Sequence, residues 1–328
     1  MKTRRLLSSS LRSMLAATVA ALLPAVACAQ AYPTKLIRIV VPFPPGGSND
    51  VLARIVEKIL TPALGQIVII ENRPGASGLI GTEFVAKAPA DGYVLLLMTS
   101  AFAINPSLYS KIPYDPIKDF EPVSALTAYP LLLLCHPSLP VRSVKALIAL
   151  AKAQPGNLNY SSGGIGTSNH IAGALFSYVA GVRMTHIPYK GVGPALTELV
   201  GGQVHIIFGA PSSTLPFVRS GRLRALGVTG AKRFPLLPDA PTIAEAGIPG
   251  YEITSWTALF APAGTPAAIV KRISAEVEKG LRQADALDVL QKLGLDLTAG
   301  TPEALAALIR TEVIKWAKVI KDTGIKPQ

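Results

Sequence analysis

The chain has 328 residues, 49% of them hydrophobic, and a formal net charge of +12 at pH 7. This length allows two domains with sizeable cores, which excludes a small disulfide-stabilised domain and a disordered segment. Beyond the first 29 residues the basic residues are scattered, and the longest basic runs, Lys232-Arg233 and Lys271-Arg272, have no interleaved aromatic residues. The pattern therefore argues against a nucleic-acid groove.

The first 29 residues have the pattern of a secretory signal. Four basic residues precede an apolar run over 14–26, and Ala27-Cys28-Ala29 forms an A-x-A cleavage pattern. We predict cleavage after Ala29, with lipid attachment at Cys28 as the alternative. Cleavage removes four positive charges and lowers the net charge to +8. It also leaves Cys135 alone, so we expect no internal disulfide.

The stretch 37–64 predicts a strand, a rigid loop and a helix. A β-branched run over 37–41 is broken by three prolines and two glycines, and a helical apolar spacing then runs from Val51 to Leu64. Gly46 and Gly47 permit conformations that expose consecutive N–H groups before the helix, which suits an anion. The alternative is an ordinary turn capped by Ser48, Asn49 or Asp50.

The same design recurs along the first half. A strand over 66–71, a Pro and Gly loop over 72–78, a helix over 79–88 and a strand over 93–98 follow in order. Such alternation predicts a parallel sheet covered by helices, with ligand-binding hydroxyls at the strands' carboxyl ends. The proline-rich segment 105–123 is predicted to be a surface excursion.

The second half predicts another α/β unit with a similar plan. A strongly apolar strand over 131–135 precedes a helix over 143–153, for which Ser143 is the expected N-cap. A strand over 157–161 then leads through a glycine loop, 163–170, into a helix that ends at Val179. The remaining predicted elements are strands over 184–187, 204–209, 223–228 and 256–260 and helices over 194–200, 212–220, 267–282, 284–293 and 302–321.

Most catalytic and cofactor motifs are missing. The glycine loop before Asn169 lacks the third glycine of a dinucleotide fingerprint, and the sequence has neither a Walker A motif nor a G-x-S-x-G elbow. Its four histidines are spread out, so we expect no metal and no cofactor. The enzyme alternative is an exported hydrolase or lyase that uses His170 with Ser161 or Thr167.

What remains is a set of donor-rich loops at strand ends. Four to six N–H and O–H donors, at about 1.5 kcal/mol each for a charged acceptor, would stabilise a carboxylate by roughly 6 to 9 kcal/mol. Micromolar affinity corresponds to about 8 kcal/mol. A carboxylate could therefore be bound without an arginine.

Long ordered motifs also carry a family resemblance. They begin with VPFPPGGSND and continue with ENRPGA at 71–76, DGY at 91–93, PYDP at 113–116, KDFEPV at 118–123, HIPYKG at 186–191, LPDAPT at 237–242 and APAGTP at 261–266. Over nearly the whole chain beyond the signal, the sequence resembles the Bug-type, TctC-like solute receptors of tripartite tricarboxylate transporters. The resemblance implies an α/β fold of the type II periplasmic binding protein class, with two α/β domains joined by two crossing hinge strands.

The resemblance implies domain 1 at residues 30–130 plus 257–328 and domain 2 at residues 131–256, with 131–135 and 256–260 as the crossing strands. It implies a periplasmic, monomeric receptor that passes a small organic anion to membrane permease subunits. A ligand-presenting sensor for a membrane two-component system is the alternative. The ligand-binding residues implied in this way are Phe43, Pro45, Gly46, Gly47, Ser48, Asp50, Ser77, Thr99, Ser100, Ser161, Ser162, Gly166, Thr167, Ser168, His170, Tyr189 and Phe208.

Overall fold

The computed structural model describes residues 32–323 and 325, so the predicted signal and its cleavage site lie outside the described residues. Within this part of the chain the strands form two mixed sheets of six and five strands, in the orders β11-β4-β10-β3-β1-β2 and β7-β6-β8-β5-β9. The strands are β1 Ile37–Val41, β2 Val68–Asn72, β3 Val94–Thr99, β4 Phe120–Pro130, β5 Leu132–Cys135, β6 Asn159–Ser162, β7 Thr185–Pro188, β8 Ile206–Gly209, β9 Arg224–Val228, β10 Thr254–Pro262 and β11 Asp296–Leu297.

We call β1–β4, β10 and β11 with their helices the first lobe, and β5–β9 with theirs the second lobe. The first-lobe helices are α1 Ser48–Leu64, α2 Leu79–Ala86, α3 Ala101–Leu108, α8 Ala267–Leu281, α9 Ala284–Leu293 and α10 Pro302–Thr323. The second-lobe helices are α4 Val144–Ala153, α5 Ser168–Val179, α6 Val192–Val200 and α7 Pro211–Arg219. None of the helices within the described residues has the length and apolar character needed to cross a bilayer.

The predicted strand–helix alternation is confirmed in both halves. Strand β1 pairs in parallel with β2 and β3, and β6 pairs in parallel with β7 and β8. Both sheets are mixed because β10 runs antiparallel to β3 and β5 runs antiparallel to β8. Apolar strands buried on both faces form the two cores, as expected for sheets covered by helices.

The prediction of a surface excursion over 105–123 is wrong at both ends. Residues 101–108 form the largely buried helix α3, and Phe120 already begins β4. The rings of Phe102 and Phe260 stack with centroids 4.4 Å apart, and Phe120 meets both edge-on. Pro106 has no N–H to donate to the Phe102 carbonyl, which accepts the Tyr114 hydroxyl at 3.3 Å instead. Tertiary packing therefore stabilises a helix that the local proline content argues against.

The chain passes between the lobes twice, and the two passages lie side by side. Strand β4 leads directly into β5 through Leu131, and the return runs from β9 to β10. Thr229 joins both passages, because its Oγ1 accepts from the Leu131 N–H at 2.8 Å and donates to the Ile253 carbonyl at 2.6 Å. The two expected crossings exist, but the segments predicted for them, 131–135 and 256–260, lie, apart from Leu131, within the sheets as β5 and part of β10, and the passages are at Leu131 and between β9 and β10. The domain boundaries at 130/131 and 256/257 stay a prediction.

Candidate functional site

The loop between β1 and α1 is organised by one buried carboxylate. Asp50, 3% exposed, accepts hydrogen bonds from the Gly46 N–H at 3.1 Å, Arg54 Nε at 3.0 Å and Asn72 Nδ2 at 3.2 Å. Burial alone would raise the pKa of Asp50, but these bonds outweigh it and lower the pKa below its ordinary value. The N-cap of α1 is Gly47, without a side-chain cap. The alternative of a turn capped by Ser48, Asn49 or Asp50 is therefore wrong.

The loop between β6 and α5 is organised by neutral hydrogen bonds. Thr167 Oγ1 donates to the Gly164 carbonyl at 2.7 Å, and the Gly164 N–H donates to Ser162 Oγ at 3.1 Å. The Gly166 N–H donates to His170 Nδ1 at 3.2 Å. Thr167 is the N-cap of α5, and its side chain makes no cap bond. As at α1, no side-chain cap covers the N–H groups of the first helical turn.

Behind this loop three aromatic side chains stack. His186 lies between Tyr160 and His170, with ring centroids 4.9 and 4.2 Å away, and it shares a 2.7 Å hydrogen bond with Ser162 Oγ. Burial lowers the pKa of His170 to about 4. Burial, and then the neighbouring His170, lower the pKa of His186 to about 3. Both imidazoles are therefore neutral near pH 7.

The two helix starts face one cavity of about 70 Å³ between the lobes. Seven predicted site residues line it: Phe43, Pro45, Gly47, Ser48, Thr99, Thr167 and Ser168. The other lining residues are Pro44, Asn49, Tyr129, Gly163, Asn169, Val192, Gly193, Pro194 and Ala210. None of these side chains is formally charged. An anion in the cavity would therefore be stabilised by N–H and O–H dipoles and by two positive helix ends.

A second hollow, the outer groove, has a volume of about 490 Å³ and shares Phe43, Pro44 and Gly163 with the cavity. The predicted residues Ser77 and Tyr189 line this groove and not the cavity, and Lys190 is its one cationic lining residue. The structure thus divides the predicted residues between an inner cavity and an outer groove.

Eight predicted residues line neither hollow. Ser100 Oγ hydrogen-bonds to Ser255 Oγ at 3.1 Å, and Ser161 Oγ donates to the Ile206 carbonyl. The Phe208 carbonyl accepts from Asn169 Nδ2, so Phe208 positions a residue that does line the cavity. The full set is Gly46, Asp50, Ser100, Ser161, Ser162, Gly166, His170 and Phe208. Of these, Asp50, Ser162 and His170 are hydrogen-bonded to the backbone of the two loops.

Sequence reasoning missed both asparagines of the cavity. Asn49 is 9% exposed, and its Oδ1 is buried without a hydrogen-bond partner among the described residues. Asn169 holds the corresponding place in the second lobe, because both helices begin with Ser-Asn, at 48–49 and 168–169. That repeated dipeptide is the signal that could have identified them.

The residues of the enzyme alternative are bonded to other groups. His170 Nδ1 accepts from the Gly166 backbone, and its ring stacks on His186. The Ser161 hydroxyl is buried and donates to the Ile206 carbonyl, and the Thr167 hydroxyl donates to the Gly164 carbonyl. Neither hydroxyl therefore donates to His170 as a nucleophile paired with a base would. Among residues 32–323 and 325, no group of three His, Cys, Asp or Glu side chains could hold a metal ion.

Comparison with known proteins agrees with this geometry. Residues 52–325 match the model of the tripartite tricarboxylate transporter family receptor, TctC. The chain is 38% identical over 300 residues to the protein BugT of Bordetella pertussis, covering 91% of this chain and 92% of BugT. It is 40% identical over 291 residues to an uncharacterised-family protein (UPF0065) from the tcbD-tcbE intergenic region of Pseudomonas sp. strain P51, covering 88% and 87%.

Solved structures show the same fold. Rpa4515 of R. palustris with adipate has a TM-score of 0.88 and 39% identity, covering 90% of this chain and all of that one. MatC of Rhodopseudomonas palustris with bound malate has a TM-score of 0.85 and 34% identity, covering 88% and 100%. The periplasmic binding protein BugD has a TM-score of 0.87 and 35% identity, covering 90% and 100%. The chain therefore belongs to the tripartite tricarboxylate transporter receptor family, with the fold of its periplasmic binding proteins.

Proposed function

We propose that this protein is a periplasmic solute receptor that captures a small organic carboxylate between its lobes and delivers it to the permease of a tripartite tricarboxylate transporter. The observation that carries the proposal is the pairing of two helix starts across one cavity. Each begins with Ser-Asn, and each belongs to a different lobe. An anion that contacts both would favour their approach.

The energetics of this pairing favour a carboxylate. Each helix start carries about half a positive charge and N–H groups that lack intrahelical partners. Ser48 and Ser168 add a hydroxyl on each side. Because the lining has no charged side chain, a cationic ligand would lose its hydration without gaining an ionic partner.

In this proposal the seven predicted lining residues contact the ligand, and Asn49 and Asn169 join them. Asn49 stands in the cavity wall, where its amide N–H groups can donate to a carboxylate; its unpaired Oδ1 is an acceptor and suits a hydroxyl of the ligand. Ser77 and Tyr189 act at the outer groove. Asp50, His170 and the other residues behind the loops hold the donors in place.

The lobes correspond to the two predicted domains, at residues 30–130 plus 257–328 and residues 131–256. Rotation about the paired passages at Leu131 and Thr229 would open and close the cavity. Export through the predicted signal, with cleavage after Ala29, would place the receptor in the periplasm. The relatives with adipate and malate identify short dicarboxylates as the first ligands to test.

A thermal-shift screen of the purified exported protein tests the proposal. Malate, adipate and citrate would be compared with their neutral amides, which keep the carbon skeleton but remove the charge. We expect at least one carboxylate to raise the melting temperature, since binding to the native state stabilises it, and its amide to have no effect. Stabilisation by none of a broad set of mono-, di- and tricarboxylates would contradict the proposal.

A further inference from the structure

The lobes are hydrogen-bonded at the outer groove by two residues that do not line the inner cavity. Tyr109, at the C-terminal end of α3, donates its hydroxyl hydrogen to the Ile165 carbonyl at 2.9 Å. Tyr109 belongs to the first lobe and Ile165 to the second. Ser77 of the first lobe lines the same groove and lies against Gly164 of the second lobe. The Tyr109–Ile165 hydrogen bond thus joins the lobes beside this contact.

Ser77 occupies an unusual backbone conformation. It and Ala76 have φ values of 53° and 45°, in the left-handed region that residues with side chains seldom adopt. Gly75 and Gly78 on either side also have positive φ. Strain of this kind persists where the surrounding structure imposes it, and it is concentrated at functional positions. Here the loop presents Ser77 to the second lobe.

Glycines of the second lobe make this approach possible. A Cβ added at Gly164 would lie 2.6 Å from Ser77 Oγ, and one at Gly166 would lie 2.3 Å from Asn105 Oδ1. A Cβ at Gly191 would lie 2.8 Å from Pro44 Cγ. All three glycines have positive φ, and all three face residues of the first lobe. The second lobe's backbone therefore approaches side chains of the first lobe more closely than a Cβ would allow.

We propose that the Tyr109–Ile165 hydrogen bond is a latch, which stabilises the closed arrangement of the lobes and thereby sets the affinity for every ligand by the same factor. The inference rests on the proposed function, in which closure accompanies binding. Because the latch joins protein to protein, it stabilises closure whether or not a ligand is bound. Tyr109 is thus a positioning residue that acts through the lobes, and the contact of Ser77 with Gly164 reports whether they are closed.

The expected effect follows from population linkage. The apparent dissociation constant of a ligand rises in proportion as the fraction of binding-competent protein falls. Tyr109→Phe removes one hydrogen bond between neutral groups, so we expect every dissociation constant to rise about three- to tenfold. A residue that contacts the ligand would instead weaken some ligands more than others.

Disulfide trapping tests the latch without any ligand. The Cβ built at Gly164 lies 3.8 Å from Ser77 Cβ, within the range of a disulfide, and the structure's own Cys135 is buried. In the variant Ser77→Cys/Gly164→Cys we expect cross-linking, slowed about three- to tenfold when Tyr109→Phe is added. Both proteins carry the same strained cysteine at position 164. Its effect on the cross-linking rate is therefore the same in both and cancels when the two rates are compared. Absence of cross-linking, or equal rates in the two variants, would overturn the latch.

Calorimetry with malate and adipate provides the second test, with Tyr251→Phe as the matched control. Tyr251 also donates to a backbone carbonyl, that of Ala172 at 2.8 Å, but this bond lies within the second lobe, and Tyr251 lines neither the groove nor the cavity. We expect Tyr109→Phe to weaken both ligands equally and Tyr251→Phe to change only thermal stability. Unequal weakening would overturn the proposal. The two proposals can fail separately. If the wild-type protein bound no carboxylate, the proposed function would be wrong, but a rate of disulfide cross-linking that depended on Tyr109 would still support the latch.

Discussion

The two walls of the cavity present similar donors but are supported in different ways. In the first lobe a buried ionised carboxylate, Asp50, holds the loop before α1. In the second lobe neutral groups hold the loop before α5, and the imidazoles of His170 and His186 stack behind it. The helix starts themselves are alike, since each helix begins with Ser-Asn and neither has a side-chain N-cap hydrogen bond.

The two walls therefore share a set of donors but not the scaffold behind it. A charge supports one wall, and uncharged packing supports the other. The walls should respond differently to loss of a single side chain and to pH.

Asp50→Ala should have the largest effect on binding. The substitution removes an acceptor of three hydrogen bonds, so the Gly46 N–H loses its partner, Asn72 keeps only its bond to the Phe43 carbonyl, and the loop loses its shape. We expect about 100-fold weaker binding, or roughly 3 kcal/mol, measured by calorimetry. Glu278→Ala is the matched control, because Glu278 forms an exposed i,i+4 pair with Arg282. It should leave affinity unchanged, and equal losses for the two variants would contradict the role of Asp50.

Acid should destabilise the second wall first. The pKa values of His170 and His186 are lowered on folding, to about 4 and about 3, so the unfolded chain binds more protons below its ordinary histidine pKa near 6.5. Stability is then fully present above pH 6.5 and is lost as the pH falls towards 4, at up to about 1.4 kcal/mol per pH unit for each histidine. The lowered pKa of Asp50 keeps the first wall ionised over this range.

Chemical denaturation between pH 7 and 5 measures this loss. We expect the free energy of unfolding to fall by a few kcal/mol in wild-type protein and by about half as much in His186→Gln, which retains one of the two imidazoles. A slope unaffected by the substitution would show that other groups cause the pH dependence.

Ser143→Ala should have a small effect that leaves binding unchanged. Ser143 caps α4 by accepting from the Ala146 N–H at 3.1 Å, in contrast to the uncapped helices of the cavity. Its loss should cost about 1 kcal/mol of stability, seen as a lower melting temperature. A change in carboxylate affinity would mean that α4 influences the cavity.

The sequence indicates the repeating units of this fold but not their exact limits. Periodicity and Pro–Gly loops predict the parallel parts of both sheets, because these signals are local. Helix α3 and strand β4 are not predicted, since their burial depends on Phe102, Phe120 and Phe260 meeting across the chain. The Ser143 cap is confirmed, whereas the expected caps of α1 are replaced by Gly47.

The site was predictable as a set of loops but not as a set of contacts. Strand ends point to Ser48 and Ser168 because parallel strands bring their carboxyl ends to one edge of a sheet. Which side chain faces the cavity depends on tertiary partners. Asp50 turns back to Gly46 and Arg54, and His170 turns to Gly166. Sequence alone gives no signal for those choices.

The most direct test of the central claim is calorimetry of one bound carboxylate with Ser48→Ala and Ser168→Ala, one hydroxyl from each wall. A ligand held by both lobes should bind about tenfold more weakly to each variant, because each loses one hydrogen bond to a charged acceptor. Neither variant should lower the melting temperature of the ligand-free protein appreciably. If only one serine affected affinity, the carboxylate would be held by a single lobe, and the account of a two-sided site would be contradicted.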